Sequence, residues 1–207
     1  MKSIPASRYL VFFALVLLGS LLDLTTKSWI FGRLGLPFEQ DVWWLWQDVF
    51  GLRTSLNEGA LFGIGQGQVS FFSVMSVVAA ATIFFWLFFA KAAREWLVTV
   101  ACGLICAGII GNLYDRLGLP GLRWNYANPP LHELGEPVYA VRDWIHVMIG
   151  PWAWPTFNLA DSMLVAGAGL IIIHVLWFDS SRGATDPDEA PHPRPTERET
   201  SNETNTR

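Results

Sequence analysis

The stretch Phe157-Asn158-Leu159-Ala160-Asp161-Ser162 stands at the head of an otherwise uncharged apolar run that ends at Phe178. A carboxylate at the edge of a hydrocarbon layer is unfavourable, so Asp161 in this position indicates a functional role. Three other apolar runs of the chain flank ionisable residues in the same way. Threaded through a bilayer, the four runs predict the fold, and the polar residues at their ends predict the site.

The composition is typical of a membrane protein. Hydrophobic residues make up 52% of the 207 residues and charged residues only 15%, which is unusual for a soluble domain of this size. A span needs about 20 predominantly apolar residues, and four stretches qualify: residues 9–31, 69–90, 96–114 and 157–178. We therefore expect an all-α membrane protein with four transmembrane helices.

The first run could be mistaken for a secretory signal peptide, because Lys2 and Arg8 precede its apolar core. The core is followed by Asp23-Leu24-Thr25-Thr26-Lys27 rather than by a small-residue cleavage site. The apolar pattern then resumes at Trp29-Ile30-Phe31 and completes a span. We interpret this run as a retained first helix.

Charged residues indicate the orientation of the spans. Basic residues precede the first span and fill the short link between the second and third, whereas the long loops 32–68 and 115–156 hold many acids. The positive-inside rule therefore places both termini and the short link in the cytoplasm, and the two long loops outside.

The chain divides into a four-span membrane domain, residues 1–178, and a tail, residues 179–207. The tail is rich in Pro, Thr, Glu and Asp with almost no apolar residues, which predicts a disordered cytoplasmic extension. The net charge of −4 comes largely from this tail and indicates no nucleic-acid partner.

The outer loops carry some structure of their own. In the first, Val42-Trp43-Trp44-Leu45-Trp46 suits a membrane–water boundary, Phe50–Leu56 has strand character, and Asn57-Glu58-Gly59 is typical of a turn. We expect a small extracytoplasmic β-rich platform in this first outer loop. In the second, residues 118–137 show no helical or strand period, and residues 138–145 have a more ordered pattern.

The predicted topology gathers polar residues on the outer side. Asp23 and Lys27 are four residues apart on one helical face and can pair, which by itself would only neutralise them and dock the first helix. Gly108 and Gly111 permit close approach of another helix. Snorkelling charges would appear at both faces, whereas the residues expected near one depth are Asp23, Lys27, Asn57, Asn112, Asp115, Arg116, Asp143, Asn158 and Asp161.

Several chemistries lack support in the sequence. His132 and His146 are the only outer histidines, and no Ser-His-Asp, Cys-His or metal-ligand spacing accompanies them. Cys102 and Cys106 share one helical face and are interpreted as small buried hydrophobic residues. We therefore expect neither a metal nor an organic cofactor.

Carboxylates are the remaining chemical resource. Two carboxylates close together in a poorly solvated pocket cannot both ionise easily, so one keeps a proton. The ionised partner can then take a proton from water while the neutral partner polarises a carbonyl. Of Asp115, Asp143 and Asp161, Asp115 is the weaker candidate because Arg116 and other nearby basic groups can hold it ionised. Asp143 and Asp161 are the better pair.

Five motifs in this order on a four-span chain resemble the bacterial lipoprotein signal peptidase family, signal peptidase II, over most of residues 20–175. The motifs are Asp23-Leu24-Thr25-Thr26-Lys27, Asn57-Glu58-Gly59-Ala60-Leu61-Phe62, Gly111-Asn112-Leu113-Tyr114-Asp115-Arg116, Val141-Arg142-Asp143-Trp144-Ile145 and Phe157-Asn158-Leu159-Ala160-Asp161-Ser162. Members of this family are membrane aspartyl endopeptidases that cut the signal peptide from a prolipoprotein just before its diacylglyceryl-modified cysteine.

The resemblance implies a role for each site residue. Asp143 and Asp161 would be the catalytic dyad. The groups that bind and orient the substrate backbone would be Asn57, Asn112, Arg116 and Asn158. The groups that support the site would be Asp23, Lys27, Asp115 and Gly59.

The resemblance also implies the setting of the protein. Its partners would be lipid-modified prolipoprotein signal peptides and membrane lipid, and the protein would be a monomer. It would lie in the bacterial inner membrane as a multi-pass protein, with the active site toward the outer face.

Two features depart from the family pattern. The connection of residues 117–140 is much longer than usual, and this insert is expected either to form a lid or to shift Asp143. Trp144 stands where the family usually has Phe. The spacing from Asp143 to Asp161 remains similar to that of the family, so the dyad is expected to survive.

Two other functions are alternatives for this pattern of residues. Intramembrane carboxylates also relay ions in small proton-coupled carriers, although such a carrier would place them near mid-membrane or on both sides. A catalytically inactive protein that binds lipoprotein precursors is the second alternative, since the long insert could have replaced activity.

Overall fold

The computed structural model describes residues 3–59 and 65–182, and the chain there forms four long helices and four short strands. In chain order the elements are α1 (Ala6–Leu34), β1 (Trp43–Trp46), β2 (Phe50–Asn57), α2 (Val69–Phe88), α3 (Trp96–Arg116), β3 (Val141–Ile149), β4 (Trp152–Phe157) and α4 (Leu159–Arg182). A short 3-10 turn, Ala92–Arg94, joins α2 to α3.

The four predicted apolar helices are confirmed, since each helix is long and apolar enough to cross a membrane. Their ends differ from the sequence estimates. α1 is longer at both ends and stops at Gly35, which has φ of 74° and whose N–H donates to the carbonyl of Phe31. α4 continues past Phe178 to Arg182, into the segment predicted as a tail. The rest of that predicted tail, residues 183–207, lies outside the described residues.

α3 is the central helix of the bundle. In its most apolar window 61% of the residues are buried, against 11% to 17% for the other three helices. Close packing on α4 depends on Gly108, where a Cβ would lie 2.5 Å from the carbonyl oxygen of Ala160. The other three helices, α1, α2 and α4, leave many large apolar side chains exposed. Such surfaces suit a lipid environment and would be unfavourable in water.

The strands form one antiparallel sheet in the order β1-β2-β3-β4. The prediction of a platform confined to the first outer loop was therefore incomplete, because β3 and β4 come from the second. A two-stranded hairpin alone is marginal in water, and pairing β2 with β3 completes the sheet. β3 gave a weak sequence signal because it is buried on both faces over Val141–Asp143 and so lacks polar alternation.

The insert of residues 117–140 packs beside this sheet. Trp124, Val138 and Ala140 form a buried cluster that contacts Leu56 of β2. Asn125 Nδ2 donates to the carbonyl of Pro37, which ties the insert to the connection between α1 and β1. These contacts hold the insert against the platform, and β3 begins directly after it at Val141.

Candidate active site

Asp161 is positioned by the start of α4. Asn158 precedes the helix, and its Oδ1 accepts a hydrogen bond from the Asp161 N–H at 3.0 Å. In return, Asp161 Oδ2 accepts from the Asn158 N–H at 3.2 Å. This reciprocal pair is a capping box, which satisfies two backbone donors at the helix start. The same contacts that begin the helix therefore fix the orientation of the carboxylate.

Asp143 is positioned by the sheet. It lies opposite Ser55 in the pairing of β2 with β3, and its side chain is 2% exposed. Asn158 Nδ2 donates to its Oδ1 at 2.6 Å, and the side chain of Asn57 also hydrogen-bonds to it. Asn158 thus contacts both Asp143 and Asp161, so β3 and the start of α4 bring the two carboxyl groups to one residue.

The electrostatic environment favours a proton on Asp143. Burial, and after it the nearby carboxyl group of Asp161, raise the pKa of Asp143 to about 8. Hydrogen bonds from Asn158 and Asn57 and the charge of Lys27 act in the opposite direction. Burial dominates because a carboxylate loses its hydration there. At neutral pH one acid of the pair is therefore protonated.

Asn112 connects the carboxylates to a buried charge. Its Nδ2 donates to Asp161 Oδ1 at 2.8 Å. Its Oδ1 accepts from Lys27 Nζ at 2.9 Å and from Asn158 Nδ2 at 3.2 Å. Because Asn112 accepts through one side-chain atom and donates through the other, its amide orientation is fixed by these partners. Asp161 consequently receives hydrogen bonds at both of its oxygens.

A buried ion network lies beneath the two aspartates. Lys27 Nζ is 2.7 Å from Asp23 Oδ2 and 3.0 Å from Asp115 Oδ2, and the three side chains are fully buried. The predicted pairing of Asp23 with Lys27 is thus confirmed. Asp23 Oδ1 also accepts from the N–H of Ala160 at 2.9 Å, which joins α1 to the first turn of α4.

Arg142 is a member of this network that the sequence reasoning did not single out. Its Nε donates to Asp115 Oδ1 at 2.8 Å and its backbone N–H donates to Asp115 Oδ2 at 3.1 Å. The basic groups closest to Asp115 are therefore Lys27 and Arg142. The available signal was a charged residue directly before Asp143, in a strand whose neighbours are apolar.

Arg116 and Gly59 lie on the other side of the pair. Arg116 Nη2 donates to the carbonyl of Gly59 at 3.0 Å, and the N–H of Gly59 donates to Asn57 Oδ1 at 2.9 Å. The turn after β2 is thereby fastened to the end of α3. Arg116 contributes a positive charge that faces both Asp143 and Asp161.

A cavity of about 470 Å³ exposes the two aspartates. Its polar wall is made of Asn57, Asn112, Arg116, Asp143 and Asp161. The sequence reasoning missed the other wall, which is mainly apolar and comes from β4 and α4: Trp154, Pro155, Thr156, Phe157, Ser162, Val165 and Ala166. Among the described residues that line this cavity, none belongs to the insert, so the expected lid is not found there.

The chemistry available in this cavity is acid–base hydrolysis. Two carboxyl groups, of which Asp143 has a raised pKa, lie beside hydrogen-bond donors in a cavity of about 470 Å³. Such a pair can activate a water molecule and polarise a carbonyl at the same time.

Comparisons with known proteins show the family to which the chain belongs. The family model described as signal peptidase (SPase) II matches residues 15–177. The chain is 46% identical over 189 residues to the lipoprotein signal peptidase of Rhodopirellula baltica, covering 90% of this chain and 81% of that protein. It is 30% identical over 179 residues to the lipoprotein signal peptidase of Serratia proteamaculans, covering 84% of this chain and 92% of that protein.

A solved structure of a bacterial membrane enzyme has the same fold. The TM-score is 0.66 at 26% identity, and the match covers 87% of this chain and 94% of the other. The fold, the family match and the close relatives agree with the resemblance carried by the five motifs. This chain is a multi-pass membrane protein that belongs to the signal peptidase II family.

Proposed function

We propose that this protein removes signal peptides from prolipoproteins with Asp143 and Asp161 as its catalytic pair, cutting before the diacylglyceryl-modified cysteine. The observation that carries the assignment is the contact of both carboxyl groups with Asn158 in one cavity. Asp115 is the third candidate, and it is engaged by Lys27 and Arg142 instead.

The proposed reaction divides the labour between the two acids. Asp161, as a carboxylate, takes a proton from a water molecule while the water oxygen attacks the scissile carbonyl carbon. Asp143, as a neutral acid, gives its proton to the carbonyl oxygen, and a tetrahedral diol forms. Asp161 then passes its proton to the amide nitrogen, the C–N bond breaks, and Asp143 recovers a proton from the diol hydroxyl as the new acid forms.

The surrounding polar groups position the substrate. Asn57 and Arg116 line the cavity beside Asp143, where they can hydrogen-bond to a peptide backbone. Asn112 and Asn158 hold the carboxyl groups themselves, and Asp23, Lys27, Asp115 and Gly59 support that arrangement. Holding water, acid and carbonyl in one geometry supplies much of the rate enhancement in such a site.

The apolar wall indicates how the substrate arrives. Val165 and Ala166 lie on α4 within its most apolar stretch, so the cavity continues into the hydrophobic zone. A signal-peptide helix can move in sideways from the lipid while its acyl chains remain there. In this proposal the monomer lies in the inner membrane with both termini in the cytoplasm and the cavity at the outer face. The reaction uses no metal and no organic cofactor.

The two alternative functions find less support. A proton-coupled carrier would place carboxylates near mid-membrane or on both sides, whereas the carboxylates of this site gather where α1, α3 and α4 meet the sheet. A catalytically inactive binding protein is disfavoured because the insert leaves Asp143 within the cavity.

The test is cleavage of a synthetic diacylglyceryl-modified precursor peptide by purified protein in lipid. Asp143→Asn and Asp161→Asn should abolish cleavage while the protein still inserts in the membrane at normal abundance. Asp41→Asn is the matched control, because Asp41 is exposed and lies away from the cavity. Cleavage retained by either active-site variant would remove the assignment of the pair.

A further inference from the structure

We propose that a second cavity, built largely by the insert, binds the polypeptide segment that follows the modified cysteine, with a preference for basic side chains in that segment. The inference rests on the proposed function, since it names a further subsite of the same substrate. The first cavity and this second cavity would receive the two sides of the cleaved bond.

The second cavity has a volume of about 730 Å³, which is in the range of roughly 300–1,000 Å³ that is usual for ligand sites. The insert supplies seven of its lining residues: Leu117, Trp124, Leu131, His132, Glu136, Pro137 and Tyr139. The start of α2 supplies the opposite wall, including the hydroxyl-bearing Ser70 and Ser73. The insert thus lines a cavity beside the active site, whereas the sequence predicted that it forms a lid or shifts Asp143.

Arg116 lines both cavities and therefore marks where they meet. Its guanidinium group donates to the carbonyl of Gly59, and Glu58, the residue before Gly59, lines the second cavity. Asn57, one residue earlier, lines the first. A peptide bound at Asp143 and Asp161 can therefore continue past Arg116 into the second cavity.

His132 provides unused hydrogen-bonding capacity in this cavity. The side chain is nearly buried, with 5% of the residue exposed. Its ring stacks on Trp124 with centroids 3.5 Å apart and an interplanar angle of 5°. Within residues 3–59 and 65–182, neither ring nitrogen has a hydrogen-bond partner, although Nε2 lies 4.0 Å from Glu58 Oε2. A buried polar group without a partner is unfavourable, and a peptide backbone supplies both donors and acceptors.

The charge of the lining sets the preference. Glu58 and Glu136 place two carboxyl groups in the cavity, and Arg116 occupies only the end that borders the active site. Burial raises the pKa of Glu58, and a cation bound beside it would favour the charged form again. A basic side chain in the segment after the cysteine therefore fits this cavity better than an acidic one.

The experiment compares three lipid-modified peptides that share one signal sequence. The first ends at the cysteine amide, the second extends five residues further with a lysine at the third, and the third carries glutamate at that position. Wild-type protein should cut the lysine peptide with kcat/KM about tenfold higher than the short one, equivalent to one or two net hydrogen bonds. The lysine peptide should exceed the glutamate peptide roughly two- to fivefold, as for a partly exposed ion pair.

Two variants and a matched control locate the effect. His132→Gln should bring the ratio between the lysine peptide and the short peptide toward one, through a higher KM for the extended peptide. Glu136→Gln, a change at an exposed residue, should reduce the preference for lysine over glutamate. Glu133→Gln should leave both ratios at wild-type values, because Glu133 lies in the same insert and is exposed but does not line the cavity.

The outcomes separate the inference from the proposed function. Equal kcat/KM for all three peptides in the wild type would overturn the second subsite while leaving signal-peptide removal intact. Ratios that change with acyl-chain length but not with peptide length would also overturn it, since the cavity would then hold lipid. Failure to cut any of the peptides would overturn the proposed function and the inference together.

Discussion

The buried network beneath the proposed catalytic pair predicts a loss of stability for Asp115→Asn. Asp115 is fully buried and accepts from Lys27 Nζ at 3.0 Å, from Arg142 Nε at 2.8 Å and from the Arg142 N–H at 3.1 Å. The amide removes the negative charge and one acceptor. Lys27 keeps Asp23 as a partner, but Arg142, at 4% exposure, loses its carboxylate partner and keeps a 3.3 Å contact with Ser28 Oγ and a position over the Phe31 ring.

The magnitude follows from the charge that is left behind. Breaking a buried ion pair by removing one partner lowers the free energy of unfolding by about 3–5 kcal/mol. For a chain of this length, each kcal/mol corresponds to about 2–4 °C in Tm, so the expected decrease is roughly 6–20 °C. Asp115 does not line the cavity, so below the lowered Tm the variant should keep most of the wild-type kcat.

The assay is thermal unfolding of the purified protein in detergent, paired with single-temperature cleavage kinetics. Asp41→Asn serves as the control for loss of one carboxylate and should unfold at the wild-type temperature. An Asp115→Asn protein with unchanged Tm would contradict the network described here. A stable variant that binds substrate but cannot cut it would show that Asp115 belongs to the catalytic pair.

Three further predictions concern the site itself. Asn158→Ser keeps a side chain able to cap α4 but loses the 2.6 Å bond to Asp143, so kcat/KM should fall about 10- to 100-fold; unchanged kinetics would argue against that bond. Because burial and Asp161 raise the pKa of Asp143 to about 8, kcat/KM should fall as pH rises through that value, and a flat kcat/KM profile between pH 7 and 9 would oppose this. The neutral form of Asp143 also contributes to the free energy of unfolding. That contribution is complete below pH about 4 and should be lost as pH rises from there to about 8. Gly108→Ala should lower the free energy of unfolding by about 1–3 kcal/mol and reduce cleavage, because the added Cβ would lie 2.5 Å from the carbonyl oxygen of Ala160. Gly169→Ala is the control, because a Cβ there meets no atom within 4 Å, and neither Tm nor cleavage should fall.

The four helices, and the expectation that polar residues gather in one site, could be predicted because the length of an apolar run and the charges beside it can be read from the local sequence. A bilayer requires long apolar helices, and basic residues orient them, so the outer ends of the spans could be placed together without tertiary information. The family was predictable for a related reason. Its polar motifs occur in order at the ends of these spans, and the family match confirms that reading.

The sheet was only partly predictable because β3 lacks alternation. Val141, Arg142 and Asp143 are all buried, since one face meets helices and the other contributes to the site. Arg142 escaped notice because its partner, Asp115, is 27 residues away in the chain. By contrast, the spacing from Asn158 to Asp161 does carry a local signal, because it places the two residues at the N-cap and N3 positions of a capping box.

The insert was the least predictable region. Residues 118–137 have no period, and their placement depends on burial of Trp124 against Val138 and on contacts with Leu56. Such contacts are set by tertiary packing, which composition does not reveal. The departure from the family's usual length did indicate a local difference, and the insert lines a cavity that shares Arg116 with the cavity of Asp143 and Asp161.

The central claim is that Asp143 keeps a proton at neutral pH beside the side chain of Asp161. Infrared difference spectroscopy, wild type minus Asp143→Asn, measures this most directly through the carbonyl stretch of a protonated carboxyl group. The account predicts a band at pH 7 that disappears as pH rises through about 8 and that disappears at lower pH in an Asp161→Asn background, where one cause of the raised pKa is gone. A difference spectrum without a protonated carboxyl band at pH 7 would contradict it.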